Sequence, residues 1–271
     1  MSLSLRNPHS VLAALRLRPG SVTSVSPPAG RPTPAWAAVL DAAHEAGVPL
    51  VDAPARPSSG GKGGGRRGRR GGPADRDARG GGGEALVAPK PPVSLGELFS
   101  KVDPNAAGLW LALDRIQDVH NLGAIFRNAA FFGVRGLIFT RDQSAPLTAA
   151  AYDVACGGVE AVPHAAPANL ASALTKAKEA GLWALGTSEH AGILGDGADV
   201  PSGSAFDVDR ARPWLVVIGG EEKGLRKRTL DLCDEVCQLP PGPGNVGPVT
   251  SLNAAVASGA ILAALSRPVT G

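Results

Sequence analysis

Five side chains stand where a ligand can meet them: Asn121, Arg127, Glu221, Ser251 and Asn253. They fall in three short stretches, Asp118 to Asn128 (DVHNLGAIFRN), Ile218 to Leu225 (IGGEEKGL) and Val249 to Val256 (VTSLNAAV). In each, polar residues come where hydrophobic periodicity ends, at a strand tip or a helix start. Such positions present side chains without spoiling a core. Amides, a hydroxyl, a guanidinium and a carboxylate suit hydrogen-bonded placement of a polar ligand. No cluster of His, Cys and acidic residues accompanies them, so neither metal chemistry nor a thiol nucleophile is indicated.

Each residue also has a plainer role open to it. Asn121 can cap a first helical turn, and Arg127, six residues on, can lie on a solvated helix face. Glu221 follows the apolar run Leu215 to Ile218 through Gly219 and Gly220. Those glycines permit a tight turn and close approach of a ligand to the backbone, while the acid itself suits a helix N-terminus. Ser251 and Asn253 are N-cap candidates for the last helix. Gly242 to Gly247 (GPGNVG) matches a dinucleotide-binding fingerprint. Pro243 sits inside that turn, Pro248 follows it, and the one helix after it leaves no strand for an acidic ribose ligand. Nicotinamide or flavin binding is not expected.

The elements that must position these residues follow from periodicity. Near-continuous apolar runs at Leu109–Leu113, Gly136–Phe139, Leu182–Leu185, Trp214–Ile218 and Val236–Leu239 read as strands. Helical patterns lie between them at Leu122–Phe132, Leu170–Ala180 and Leu225–Leu232, and a final apolar helix spans Leu252–Leu265. Alternation of that kind predicts an α/β domain with a parallel sheet covered on both faces. Ahead of it, helices at His9–Leu17 and Pro34–Ala46 and strands at Val22–Val25, Val48–Val51 and Ala85–Ala88 form a smaller α/β unit. Ser94–Phe99 is a short linker helix after the proline-rich boundary Pro89 to Pro92. The expected division is residues 1–90, a linker at 91–107 and a large domain at 108–271.

An insert at residues 58–83 interrupts the small unit. Twelve of the 24 residues from Gly60 to Gly83 are glycine, so burial cannot recover the ordering entropy of a packed element there. That segment holds seven cations against two acids. It therefore carries +5, leaving −2 for the rest of a chain whose total is +3. Two readings stay open. Lys62, Arg66, Arg67, Arg69 and Arg70 can track a nucleic-acid backbone, or the segment is a tolerated solvated loop.

No run of 18 apolar residues predicts a membrane span. Three cysteines without a C-x-x-C pair point to a reducing compartment and buried thiols. Cys233 and Cys237, four apart, suggest one helix face or its exit. The first 40 residues have four Arg and no acid, which admits an organellar leader as an alternative to a cytoplasmic protein.

The order HNLGAIFR, GGEEKGL, VTSLN before a terminal apolar helix resembles the SpoU/TrmH family of RNA ribose 2′-O-methyltransferases, in the SPOUT superfamily. Residues 108–271 are similar to its catalytic domain. Residues from about 5 to 90 are similar to the L30-like RNA-binding domain of the branch that modifies ribosomal RNA guanosines. Ser144 to Leu147 and Ala151 to Glu160 also resemble that branch. The resemblance implies an α/β trefoil knot, a homodimer with the site near the subunit interface, and S-adenosylmethionine as methyl donor without a metal. It implies donor contacts near Thr187, Gly219, Gly220, Leu239 and Leu252. It implies that Asn121 and Arg127 hold the target nucleotide, while Glu221, Ser251 and Asn253 shape the site. The expected partner is RNA, neither DNA nor membrane. The expected reaction is 2′-O-methylation of a guanosine in large-subunit rRNA. Transfer RNA methylation and a non-catalytic RNA-binding role are the alternatives. Three departures stand out: Glu222 replaces the glycine of the family's Glu-Gly-x-Gly, Ala255 stands where a serine is common, and the path from Leu239 to Ser251 is longer than usual.

Overall fold

The computed structural model describes residues 2–52, 82–188, 201–220, 224–245, 247–249 and 251–266. The chain divides into two compact units, Met1–Pro89 and Lys90–Gly271.

The first unit contains a three-stranded antiparallel sheet in the order β1 (Leu3–Leu5), β3 (Glu84–Val87), β2 (Val22–Ser26). Two helices, α1 (Pro8–Leu17) and α2 (Pro34–Glu45), pack on each other. Both begin with proline behind a side-chain cap. Asn7 accepts from the His9 amide at 2.9 Å, and Thr33 accepts from the Trp36 amide at 3.4 Å. Proline suits that first turn because its missing N–H would be unpaired there anyway. Leu5, Val11, Ala14, Val25, Val39 and Val87 form a fully buried core. The strand expected at Val48–Val51 reduces to one bridge, Leu50 beside Val25. Leu50 and Val51 remain exposed, so little apolar area holds a longer ladder together. Among the insert residues only Gly82 and Gly83 are described; Lys62, Arg66, Arg67, Arg69 and Arg70 lie outside the described residues.

The second unit is built on a seven-stranded sheet whose neighbouring strands all run parallel. Its order is β6 (His164–Ala165), β5 (Leu137–Phe139), β4 (Gly108–Asp114), β9 (Pro213–Gly219), β7 (Trp183–Thr187), β10 (Glu235–Gln238), β8 (Ser202–Ser204). The central pair β4 and β9 is buried on both faces, which is why those segments read as continuous apolar runs rather than alternating ones. Trp110, Ala112, Leu215 and Val217 face a layer with α3 (Leu95–Phe99) and α7 (Leu170–Glu179). Leu111, Leu113, Val216 and Ile218 alternate to the opposite face. There α4 (Val119–Phe131) packs against α9 (Ala254–Leu265), and α9 reaches β9. Two short helices, α5 (Ala149–Ala155) and α6 (Gly158–Ala161), flank α4.

Several boundaries shift from the expected ones. The helix expected over Leu225–Leu232 is only α8 (Lys227–Leu230). Cys233 and Cys237 share no helix, since Cys237 lies within β10. Their placement is nonetheless buried, and burial pushes both thiols up to about 12. Cys156 is the exception among the three, being only half-buried. No helix among the described residues is long and apolar enough to cross a membrane.

Candidate functional site

The candidate site forms where α4 begins, α9 begins, and three neighbouring parallel strands end. Helix α4 starts because Asp118 caps it, accepting from the backbone N–H of His120 (2.6 Å) and Asn121 (3.4 Å). The His120 N–H holds the Asp118 carboxyl below its ordinary value. Asn121 is therefore not the cap. It is the third residue of the helix and its side chain is buried.

Asn253 caps α9. Its Oδ1 accepts from the Ala255 and Val256 amides at 2.9 and 3.3 Å, and its Nδ2 donates to Oδ1 of Asn121 at 3.0 Å. One side chain thus accepts at one end and donates at the other, which an amide does and a carboxylate cannot. Seven residues beyond Asn121, nearly two helical turns on and so on the same face, Asn128 repeats the contact. Its Nδ2 donates to the Ala255 carbonyl (2.8 Å) and lies 3.1 Å from the Ser258 hydroxyl. The two asparagines fasten α4 to the start of the C-terminal helix.

Arg127 projects from another face of α4. It is exposed, and its Nη1 lies 3.4 Å from Sγ of Cys156. Cys156 has φ +49 at the C-terminal cap of α5. The motif glycine between Asn121 and Arg127 has a packing cause: a Cβ on Gly123 would lie 2.5 Å from the Ala151 carbonyl oxygen. Likewise a Cβ on Gly158 would lie 2.5 Å from the Phe126 carbonyl oxygen. Such close backbone approach sets α5 and α6 directly against the arginine-bearing helix.

Strands β9, β7 and β10 are consecutive in the sheet, so their C-terminal ends lie side by side, where parallel sheets receive ligands. Thr187 ends β7 and donates its hydroxyl to the Val217 carbonyl at 2.9 Å. Gly219 ends β9, where a Cβ would fall 2.3 Å from the Gly224 backbone; one on Gly220 would fall 2.6 Å from the Arg115 carbonyl oxygen. Leu239 follows β10 half-buried, and Leu252, before α9, is 52% exposed. Ser251 is exposed two residues ahead of the α9 cap. Glu221 lies outside the described residues, as does Glu222.

The glycine-rich turn at 242–247 is not a helix N-terminus. Asn245 closes it, donating to the Val249 carbonyl at 3.0 Å and accepting from the Gly247 amide at 3.2 Å. Helix α9 begins only at Ala254. Among the described residues no group of three or more His, Cys, Asp or Glu is gathered in a way that could hold a metal ion.

A supporting set beneath the site was missed from sequence. Asp114, at the end of β4, is 1% exposed. It accepts from the Thr229 hydroxyl (2.7 Å) and the Arg226 amide (3.2 Å) and pairs with the Arg226 guanidinium at 2.8 Å. A carboxylate ending a fully apolar strand demands such partners. That demand was the available signal, although nothing in sequence names partners 112 and 115 residues away.

The chain has curated relatives. It is 39% identical over 162 residues to a 23S rRNA (guanosine-2′-O-)-methyltransferase, RlmB, of Pseudomonas aeruginosa, covering 60% of this chain and 60% of that protein. It is 35% identical over 181 residues to the protein so named in Vibrio vulnificus, covering 66% of each. The chain thus spans less than two thirds of these curated relatives. Among solved structures, it is similar to the SpoU methyltransferase AviRb of Streptomyces viridochromogenes in complex with AdoMet. That match has a TM-score of 0.70 and 20% identity, covering 98% of this chain and 89% of that one. At that identity the likeness speaks for the fold alone. The SpoU rRNA Methylase family model matches residues 108–263, more than half of the chain, and the chain belongs to that family.

Proposed function

We propose that this protein transfers a methyl group from S-adenosylmethionine to the 2′-hydroxyl of a guanosine ribose in large-subunit rRNA. The observation that carries the reading is the Asn121–Asn253 bond. It brings the helix bearing Arg127 to the start of the C-terminal helix, which also packs on β9. Its support from kinship is the match to the two RlmB proteins, at 39% and 35% identity.

The residues present fit the donor. Gly219 and Gly220 have no room for a Cβ because the backbone of Gly224 and Arg115 lies there, so the strand end turns tightly and carries no side chain that would stand between its backbone and a nucleoside. Leu239 and Leu252 supply apolar surface, and Thr187 stiffens the neighbouring strand end through Val217. The donor's sulfonium supplies an electrophilic methyl group, so the protein's remaining task is to place a weak oxygen nucleophile in line and leave its proton a path out.

Arg127 and Asn121 hold the phosphate and ribose of the target nucleotide. Arginine stays protonated in proteins, so its part is placement and charge rather than proton abstraction. Proton loss from the hydroxyl, to solvent water, then comes late in the transfer, once the new C–O bond has made the oxygen acidic. Ser251, Asn253 and Glu221 shape the pocket by hydrogen bonding. No metal ion takes part.

Three further parts of the reading go with it. The unit at residues 1–90 is an L30-like RNA-binding domain. The segment after β10 returns to α4 and β9, which supports a threaded, trefoil-knotted C-terminus. Phe131 on α4 is 82% exposed and Val256 on α9 is 57% exposed; these exposed apolar side chains support a homodimer whose subunit contact lies near the site. The protein acts in the cytoplasm, where ribosomal RNA is assembled. Mapping ribose methylation in cells with and without the protein tests the reading. One large-subunit guanosine loses its 2′-O-methyl group when the protein is absent. Loss confined to transfer RNA, or no loss, overturns it.

A further inference from the structure

We propose that Arg115, joined to Arg226 through Gln143, grips a backbone phosphate of the RNA beside the methylated ribose. This rests on the function proposed above and adds a contact that none of its motif residues provides.

Three observations carry it. First, Arg115 has φ +65, one of two non-glycine residues with positive φ among those described. That conformation is strained for a residue that carries a Cβ, and such strain gathers at functional sites. Second, two guanidiniums converge on one neutral oxygen. Arg115 Nε lies 3.4 Å and Arg226 Nη1 3.2 Å from Oε1 of Gln143. Only Arg226 has a carboxylate, Asp114, at 2.8 Å. Among the described residues no carboxylate lies within ion-pair distance of Arg115. One full positive charge is left over among the described residues, and drawing two cations together is unfavourable unless an anion joins them. Third, the place is right. Arg115 is exposed and follows β4 directly. Its carbonyl crowds Gly220 of the donor loop, and three residues on is Asp118, the cap of the helix carrying Asn121 and Arg127. An arginine fork matches a phosphodiester's paired oxygens, and a cation here meets RNA that has already put its ribose in the pocket.

The test is the salt dependence of binding to an unmodified large-subunit rRNA transcript, by wild type and Arg115→Gly. Glycine accepts the left-handed φ without strain, so the variant should melt no lower than wild type. One lost phosphate contact reduces the slope of log affinity against log salt by about 0.7 for a single strand and about 0.9 for a duplex. We expect that reduction, a several-fold weaker affinity at low salt that converges with wild type as salt rises, and a raised KM for RNA with kcat and donor affinity kept. Arg115→Lys should restore the slope. Lys176→Ala, removing an exposed cation of α7, should leave it unchanged. An Arg115→Gly slope equal to that of wild type, or matched by the Lys176→Ala effect, overturns the proposal. If wild type binds the transcript with the predicted slopes yet transfers no methyl group, the enzymatic reading fails while the phosphate contact stands. If it methylates the transcript and Arg115→Gly is indistinguishable, the reverse holds.

Discussion

Asn253 and Asn121, 132 residues apart, share a 3.0 Å amide-to-amide hydrogen bond that fixes the start of α9 against the start of α4. Because the same Asn253 side chain also caps α9, one residue sets both the helix end and its partner. Asn253→Ala is expected to lower stability by about 1–2 kcal/mol, the cost of an N-cap plus a part-buried hydrogen bond. In a double-mutant cycle with Asn121→Ala, denaturant unfolding should show a coupling of about 0.5–1.5 kcal/mol. Strict additivity would mean the bond contributes nothing in solution.

Asp114 is the buried anchor of the segment that enters α8. Asp114→Ala leaves Arg226 and Thr229 without their partner, and breaking such a pair costs about 3 kcal/mol or more where it is fully buried. Arg226 keeps 36% of its side-chain exposure, which reduces the cost to roughly 2 kcal/mol. Thr229→Val, losing one hydroxyl donor, should cost about 1 kcal/mol. Calorimetric melting of both variants checks the ranking; equal melting temperatures would contradict it.

Gly123→Ala separates helix propensity from packing. In an exposed helix interior the change gains about 1 kcal/mol. Here the new Cβ would sit 2.5 Å from the Ala151 carbonyl oxygen, and overpacking typically costs about 1–3 kcal/mol. The clash is with backbone rather than a side-chain tip, so it wins. A lowered melting temperature is expected, and a raised one would show that α5 gives way freely.

The thiols should respond unequally. Half-buried Cys156 is expected to react with a maleimide at pH 8 in the folded protein, and Cys233 and Cys237 only after unfolding. Folded Cys233 and Cys237 keep their protons up to about pH 12, whereas the unfolded thiols ionise near 9. The unfolded chain therefore binds fewer protons above pH 9, and stability falls as pH rises from there toward 12. The slope is on the order of 1 kcal/mol per pH unit for each thiol. Mass spectrometry after brief labelling, and unfolding curves between pH 8 and 10.5, read these effects. Equal labelling of all three cysteines would contradict the burial.

Much of this was legible in the sequence because burial leaves periodic traces. The runs ending at Leu113 and Ile218 announced the two central strands, and the apolar stretch up to Leu265 announced the last helix. Short elements left no such trace: β6 has two residues, β8 reads Ser-Gly-Ser, and both are held by neighbours rather than by propensity. At the site, motif order singled out Asn121 and Asn253, but not their bond. Asp118 rather than Asn121 proved to be the cap, since it precedes the first helical residue and its carboxylate reaches two amides. The Asp114–Arg226–Thr229 set and the Asn128 contact to α9 depend on sequence separations above 100 residues. Only the fold brings them together.

Incubating the purified protein with methyl-labelled S-adenosylmethionine and unmodified large-subunit rRNA, then digesting the RNA to nucleosides, tests the methyl transfer most directly. Label is expected in 2′-O-methylguanosine, with roughly a hundredfold less from an Arg127→Ala variant that still binds the donor. Label on a base, no label at all, or an Arg127→Ala variant as fast as wild type would contradict it.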